Sequence, residues 1–102
     1  MSLYGRDYDH ALDSSELREL KQYQRKFKTI KVLNNRARII EDDGVPTLLS
    51  YRTKVAKVVD GKLVRLWGSW SATTAVHVRA FCEEYSLHFP YKAEWMDMPL
   101  GG

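Results

Sequence analysis

An Asp60-Gly61 pair between two apolar-rich segments is the feature that most restricts how this chain can fold. Asp and Gly tolerate the positive φ values of a two-residue hairpin turn, so the pair predicts two antiparallel strands joined directly. The first strand belongs to a β-rich segment covering residues 47–59, and the second covers residues 62–70. A two-residue turn places Val59 opposite Lys62, which fixes the register of the hairpin.

This register assigns every hairpin residue to one of two faces, because side chains alternate along a strand. The more apolar face is expected to be the core face that carries a C-terminal helix, and it comprises Tyr51, Thr53, Val55, Lys57, Val59, Lys62, Val64, Leu66, Gly68 and Trp70. The opposite face is expected to point outward and comprises Arg52, Lys54, Ala56, Val58, Leu63, Arg65, Trp67 and Ser69. The outward face therefore combines three basic side chains with one tryptophan.

A helix is predicted over residues 13–27. Asp13 and Glu16 have the spacing of a capping box, in which each side chain accepts a hydrogen bond from the other residue's backbone N–H. From Leu17 to Phe27 apolar residues recur at helical spacing, with Arg and Lys on the remaining surface. An amphipathic helix is expected there.

A second helix is predicted over residues 71–86, with Ser71 as its N-cap or Thr73 as the alternative. The following residues, 87–102, include two prolines and several large aromatic side chains. They are too apolar for a disordered tail and too interrupted for a long helix, so we expect an extended strap that packs across the domain.

These signals predict one α+β domain. Its N-terminal helix is followed by an antiparallel meander of about four strands over residues 28–70, and its C-terminal helix packs on one face of the sheet. The Asn34-Asn35 pair is expected to form a further two-residue hairpin turn. Residues 1–12 lack periodicity and are expected to form an irregular tail.

Composition limits the number of domains and the cellular location expected for the protein. With 102 residues and 44% hydrophobic content, the chain has material for one core. No apolar run approaches the roughly 20 residues of a membrane span, so no membrane association is expected. A single cysteine, Cys82, and the lack of a signal-peptide pattern indicate the cytoplasm.

Charge is distributed unevenly along the chain. Between residues 21 and 65 there are 12 Lys or Arg against 4 Asp or Glu, whereas the two ends together carry 4 basic and 9 acidic residues. A basic middle of this kind favours a polyanionic partner, although the same charges could simply solvate exposed faces.

The basic outward face predicts nucleic-acid binding, because Lys and Arg contact phosphates and an aromatic ring stacks on bases. The residues expected to bind are Arg52, Lys54, Arg65 and Trp67, supported by Lys57 and Lys62. Two alternatives remain open at this point. The residues could form a cation–π cluster covering a bare sheet face, or they could contact another protein, since Trp and Arg also dominate protein interfaces.

No catalytic constellation is evident, so we expect a non-catalytic protein without a cofactor. The three histidines, His10, His77 and His88, show no metal-ligand spacing with one another or with Cys82. His77 and Cys82 lie along the apolar stripe of the second predicted helix, which indicates core positions rather than a base and a nucleophile.

Residues 48–81 resemble a group of small uncharacterised bacteriophage and mobile-element proteins with the pattern S-Y-x-T-x-V-A followed by S-x-T-T-x-x-H. The matching residues are Ser50, Tyr51, Thr53, Val55, Ala56, Ser71, Thr73, Thr74, His77 and Phe81. The resemblance implies a phage or mobile-element origin and residence in the host cytoplasm. It also leaves open that the protein binds and modulates a host protein.

Residues 62–85 are also similar to the last strand and helix of AP2-type domains and integrase arm-binding domains. That resemblance implies a three-stranded sheet on one helix, with the outer face of the sheet contacting DNA. The chain departs from this pattern by lacking the usual Gly and Arg arrangement on the first strand and by adding an N-terminal helix.

Overall fold

The computed structural model describes residues 13–101, which form an α+β fold of one N-terminal helix, a five-stranded antiparallel meander and C-terminal helices packed on the sheet. The elements are α1 (Ser14–Gln24), β1 (Lys28–Val32), β2 (Ala37–Asp42), β3 (Val45–Ser50), β4 (Thr53–Val59), β5 (Lys62–Arg65), α2 (Ala72–Glu84) and α3 (Lys92–Asp97). The tail predicted for residues 1–12 lies outside the described residues. None of the helices described for residues 13–101 is long and apolar enough to cross a membrane.

Two Asp-Gly turns set the order of the central strands. Asp60 and Gly61 have φ values of 53° and 73°, and Val59 pairs with Lys62, which confirms the predicted turn and its register. Asp43 and Gly44 adopt the same conformation, with φ values of 52° and 76°, and join β2 to β3. The meander therefore follows from two short, locally encoded hairpins.

A third turn divides the segment that the sequence pattern treats as one long strand. Tyr51 has a φ of 55°, and the chain reverses at residues 51–52 between β3 and β4. The Tyr51 N–H donates to the Arg36 carbonyl at 2.8 Å, which ties this turn to the β1–β2 loop. No Gly or Pro marks the reversal, so the prediction of about four strands omitted one.

The Asn34-Asn35 hairpin exists, but its connection covers residues 33–36 instead of two residues. Asn34 Oδ1 accepts hydrogen bonds from the backbone N–H groups of Arg36 and Ala37, at 2.7 and 2.8 Å. The side chain thus closes the loop together with the backbone N–H groups of Leu33 and Asn34, which donate to the Ala37 carbonyl at 3.0 and 3.1 Å.

A β-bulge at Val55 overturns the face assignment predicted for the β4–β5 hairpin. Leu48 pairs with Ala56 and Leu49 pairs with Lys54, so Val55 is an extra residue in β4. The extra residue reverses the alternation, and both Val55 and Ala56 are buried in the core. Strict alternation had placed Ala56 on the outward face.

Further along the hairpin, Val58, Leu63 and Trp67 pack against the core beneath α2 and α3 instead of facing outward. Phe81 of α2 and Trp95 of α3 are fully buried in the same cluster. In the half of the hairpin next to the turn, the face that was expected to meet solvent therefore packs against α2 and α3.

Helix α1 lies on the other side of the sheet and is attached through Gln24, which is 1% exposed. Its Nε2 donates to the carbonyls of Arg36 and Tyr51, at 3.0 and 2.8 Å. Its Oε1 accepts from Arg38 Nε at 3.2 Å. One buried amide thus joins the helix to β2 and to two loops.

Both predicted helix caps are confirmed. The Asp13 side chain accepts from the Glu16 N–H, and Glu16 accepts from the Asp13 N–H, which completes the capping box of α1. The Ser71 side chain accepts from the Thr74 N–H and is the N-cap of α2, so Thr73 is not the cap.

The C-terminal segment differs from the extended strap predicted for residues 87–102. Within it α3 forms a short helix that buries Trp95, and the indole N–H donates to the Ser69 carbonyl at 2.8 Å. After α3, Leu100 makes a parallel bridge to Arg65. The segment packs on the domain as expected, but through a helix.

Candidate functional site

The structure separates the residues that were expected to form one nucleic-acid-binding face. Arg65 is 7% exposed, and its guanidinium is occupied by backbone carbonyls. It donates to Trp67 O at 3.0 Å, Gly68 O at 2.8 Å and Met98 O at 2.6 Å. Arg65 therefore holds the C-terminal segment against β5, and its donors are engaged within the protein.

Trp67 is half-buried, because it packs against the core cluster and leaves part of its indole in a cavity beside α2. It is not on the same surface as Lys54, which pairs with Leu49 beyond the Val55 bulge. The cluster of Trp67 with Lys54, Arg52 and Arg65 inferred from strict alternation is thus absent from the described residues.

Arg52 and Lys54 instead lie over aromatic rings of the segment that includes α1. The Arg52 guanidinium carbon is 5.2 Å from the centre of the Tyr23 ring, and Lys54 Nζ is 5.2 Å from that of Phe27. Lys26 Nζ lies 5.5 Å from the Tyr23 ring. These five residues, Tyr23, Lys26, Phe27, Arg52 and Lys54, form a surface that we call the basic patch.

The rings of the basic patch are held in place by each other. Tyr23 and Phe27 meet edge to face, with ring centres 5.7 Å apart, and both remain partly accessible. Lys26 and Arg52 are exposed, whereas Lys54 also pairs with Asp42 at 2.9 Å. The patch is therefore a solvent-facing combination of cations and aromatic rings.

Further positive charge adjoins the patch. Burial lowers the pKa of Arg38, and the nearby charge of Arg25 lowers it further. Arg25 is exposed immediately beside Lys26. The repulsion between the two guanidinium groups indicates a concentration of positive charge at the C-terminal end of α1.

Acidic groups limit the extent of this positive surface. Glu16 and Glu19, at the beginning of α1, line a groove together with Arg52. Asp42 and Asp43 line a second groove with Lys54 and Lys57. The positive surface is consequently confined to the end of α1 and the β3–β4 turn.

The two supporting lysines occupy different positions. Lys57 is half-buried and adjoins Lys54 in the groove that Asp42 and Asp43 also line, so it lies beside the basic patch. Lys62 is exposed at the β4–β5 turn, where it lines a separate depression with Leu87 and His88. Only Lys57 adjoins the other predicted binding residues.

A cavity of about 260 Å³ lies between the β3–β4 turn and the beginning of α2. Six of its lining residues carry hydroxyl groups, and they are Ser50, Tyr51, Thr53, Ser71, Thr73 and Thr74. Val55 and Trp67 complete its wall. We call this space the hydroxyl cavity, and it brings together the two halves of the S-Y-x-T-x-V-A and S-x-T-T-x-x-H pattern.

The sequence pattern of DUF8033, a family of unknown function, matches residues 18–97. The chain belongs to this family. The DUF8033 match runs from α1 to α3 and includes both the basic patch and the hydroxyl cavity. No curated protein and no solved structure shows significant similarity to the chain.

Beneath the hydroxyl cavity of this DUF8033 protein, Ser50 Oγ and His77 Nδ1 form a buried hydrogen bond of 2.7 Å. Burial, followed by the charge of Arg36, lowers the pKa of His77 to about 4, so the ring is neutral at neutral pH. No carboxylate of residues 13–101 hydrogen-bonds the ring, as a Ser-His-Asp arrangement would require. The pair therefore connects the sheet to α2, and His77 is a core residue as predicted.

Cys82 of this DUF8033 protein is also a core residue, as its position on the apolar stripe predicted. It is 1% exposed, and burial raises the pKa of its thiol to about 11, with a further contribution from Glu83. A protonated, enclosed thiol is a poor nucleophile.

The sequence prediction missed Tyr23 and Phe27 as members of the surface that Arg52 and Lys54 form in this DUF8033 protein. Their spacing of four residues on a helix was read as an apolar stripe facing the core. The prediction also missed the hydroxyl cavity, although Ser50 and Thr53 on one side and Ser71 and Thr74 on the other carry its chemistry.

Proposed function

We propose that this protein is a non-catalytic binding protein that associates with nucleic acid through the basic patch. The observation that supports this most directly is the placement of Arg52 and Lys54 over the Tyr23 and Phe27 rings at the surface. Lys and Arg contact phosphates, and rings beside them provide faces on which bases stack.

The local excess of positive charge supports the same function. Lys26 and Arg52 are exposed, and no salt bridge within residues 13–101 neutralises either of them. Arg25 and Lys57 add charge on either side. Because the acidic groups around the patch confine it, the expected contact covers only a few phosphates, and the slope of affinity against salt should correspond to that small number.

Fluorescence anisotropy with a short labelled oligonucleotide tests this function. Binding should weaken as salt rises from about 50 to 200 mM, with a log–log slope of about −0.9 per phosphate contacted on duplex DNA and about −0.7 on a single strand. The double variant Lys26→Glu and Arg52→Glu should abolish binding, because it replaces two phosphate contacts with repulsion.

The matched control is the double variant Arg79→Glu and Lys92→Glu. Both residues are exposed and belong to the two C-terminal helices, on the opposite side of the sheet from α1. This variant changes the net charge equally, so it should retain most of the affinity. An equal loss in both double variants, or a wild-type protein without salt-dependent binding at micromolar concentration, would reject the basic patch as a binding site.

A protein partner is the second candidate, and the edge of the sheet favours it. β1 is an edge strand, and its Ile30 and Val32 are 47% and 56% exposed. An extended peptide could add to such an edge as a further strand. Under this alternative, Ile30→Lys would abolish binding to the partner, whereas Lys26→Glu with Arg52→Glu would not.

A further inference from the structure

The hydroxyl cavity differs in chemistry from the basic patch that adjoins it. The described residues that line it carry hydroxyl, aliphatic and indole groups but no charged side chain. Most of the surface that faces the cavity is apolar, because several of these hydroxyls are engaged within the protein, so the cavity suits an uncharged ring. A phosphate would find no counter-charge in this cavity.

One buried hydroxyl of the lining lacks a partner among the described residues. Thr73 Oγ1 is buried, and it forms no hydrogen bond with any other described residue. Buried polar atoms are nearly always hydrogen-bonded, because an unpaired one loses its interaction with water. Ser50, Ser71 and Thr74 are by contrast already engaged with His77 or with each other. Thr73 therefore holds an unpaired hydroxyl inside the cavity wall, and a ligand reaches it only when the Thr73 side chain rotates towards the cavity.

The size and wall of the cavity restrict the ligand further. At about 260 Å³ it is smaller than typical pockets for drug-sized ligands, which occupy about 300–1,000 Å³. Trp67 contributes an aromatic surface to its wall. A single ring system of the size of a nucleobase fits this volume, and Trp67 gives it a face against which to stack.

The cavity also adjoins the basic patch. Tyr51 and Thr53 line both the hydroxyl cavity and the neighbouring groove that contains Arg52. Arg52 lies between them in the β3–β4 turn, and its guanidinium extends to the Tyr23 ring. A strand whose phosphates meet Arg52 therefore passes the opening of the cavity.

We propose that the hydroxyl cavity receives one unpaired base of the nucleic acid held by the basic patch. This inference rests on the proposed function and specifies its substrate class, a single strand or an unpaired position. A base within a duplex cannot reach a concave site without leaving the stack. The base would lie against Trp67, and rotation of the Thr73 side chain would let its unpaired hydroxyl hydrogen-bond the base.

Comparison of a labelled single strand with a duplex of the same sequence tests the inference. The single strand should bind at least about tenfold more tightly, which is within the range of one base–aromatic stacking interaction. Trp67→Leu and Thr73→Val should each reduce this preference while leaving the duplex affinity and its salt dependence unchanged. Thr73→Val keeps the side-chain shape and should fold. It therefore still tests the inference if the Trp67 variant fails to fold.

An oligonucleotide whose residues lack bases provides a test that does not depend on protein folding. Its affinity for the wild type should fall to that of the duplex, and the difference between the intact and the abasic strand should shrink in Trp67→Leu, because bases that stack only on Tyr23 and Phe27 would not respond to that substitution. If the intact single strand binds no better than the abasic one, and both require Lys26 and Arg52, the cavity inference fails and the proposed function stands. If no nucleic acid binds with salt dependence, both fail.

Discussion

Ser50 Oγ and His77 Nδ1 lie 2.7 Å apart, and their hydrogen bond joins the end of β3 to the buried side of α2. The ring is 3% exposed, so protonation would place a charge inside the domain next to Arg36. This geometry makes the stability of the fold depend on pH.

The free energy of unfolding should fall as the pH decreases from about 6.5 to about 4. The folded pKa of His77 is lowered to about 4 from its usual 6.5, so in this window the unfolded chain takes up a proton that the folded one excludes. The stabilisation is complete above pH 6.5, and its loss should be on the order of 3 kcal/mol, at about 1.4 kcal/mol per pH unit.

Urea unfolding of the wild type and of His77→Gln across this pH range measures the effect. The variant removes the titrating ring but keeps a polar side chain, so its stability should vary less with pH. Parallel pH profiles for the two proteins would show that another group causes the change.

Replacing Ser71 with Ala should cost about 1 kcal/mol of stability, because the Thr74 N–H loses its side-chain acceptor at the beginning of α2. Thr73→Ala is the matched control in the same turn and should change the free energy of unfolding by less than about 0.5 kcal/mol. Thermal unfolding followed by circular dichroism can distinguish the two. A larger effect at Thr73 would contradict the assignment of Ser71 as the cap.

Arg65→Met should destabilise the protein by about 2–4 kcal/mol, since it leaves the carbonyls of Trp67, Gly68 and Met98 without their charged donor. Lys62→Met, at the exposed beginning of the same strand, should have little effect. Hydrogen exchange of the amides near Gly101, whose N–H donates to the Arg65 carbonyl at 2.7 Å, would report release of the C-terminal segment. Unchanged exchange would show that the segment is held by other contacts.

Gln24→Leu should cost about 2–3 kcal/mol, because two backbone carbonyls and Arg38 would lose a buried partner. Gln22→Leu is a matched control in α1, where the side chain is exposed. Chemical denaturation of both variants provides the comparison. Equal effects would mean that helix propensity, and not the buried amide, sets the stability of α1.

Local turn and cap chemistry explains why much of the fold was predictable from the sequence. Asp60-Gly61 determines a hairpin within four residues, and Asp13 and Ser71 each cap a helix through bonds to residues three positions away. Such features depend on neighbours in the chain. They require no knowledge of tertiary packing.

The predicted site was less accurate because it depended on the faces of β4 and β5. The bulge at Val55 has no sequence signature such as Gly, yet it reverses the faces of the residues beyond it. Arg65 illustrates the result, because a basic residue read as outward is buried and donates to two nearby carbonyls and to that of Met98, more than thirty residues away. The hydroxyl cavity likewise depends on contacts between distant segments.

The Val55 bulge divides β4 into two stretches with opposite phase. In a saturation mutagenesis profile, tolerance to charged residues should alternate along residues 56–59 and along residues 53–54, but the two patterns should be out of step by one position. A deletion of Val55 would restore a single phase with Lys54 still opposite Leu49 and Ala56 still opposite Leu48, whereas a conservative replacement there would keep the two phases. A one-residue deletion at this position should therefore disturb the pairing of β4 less than a deletion elsewhere in the strand, where it would shift the register.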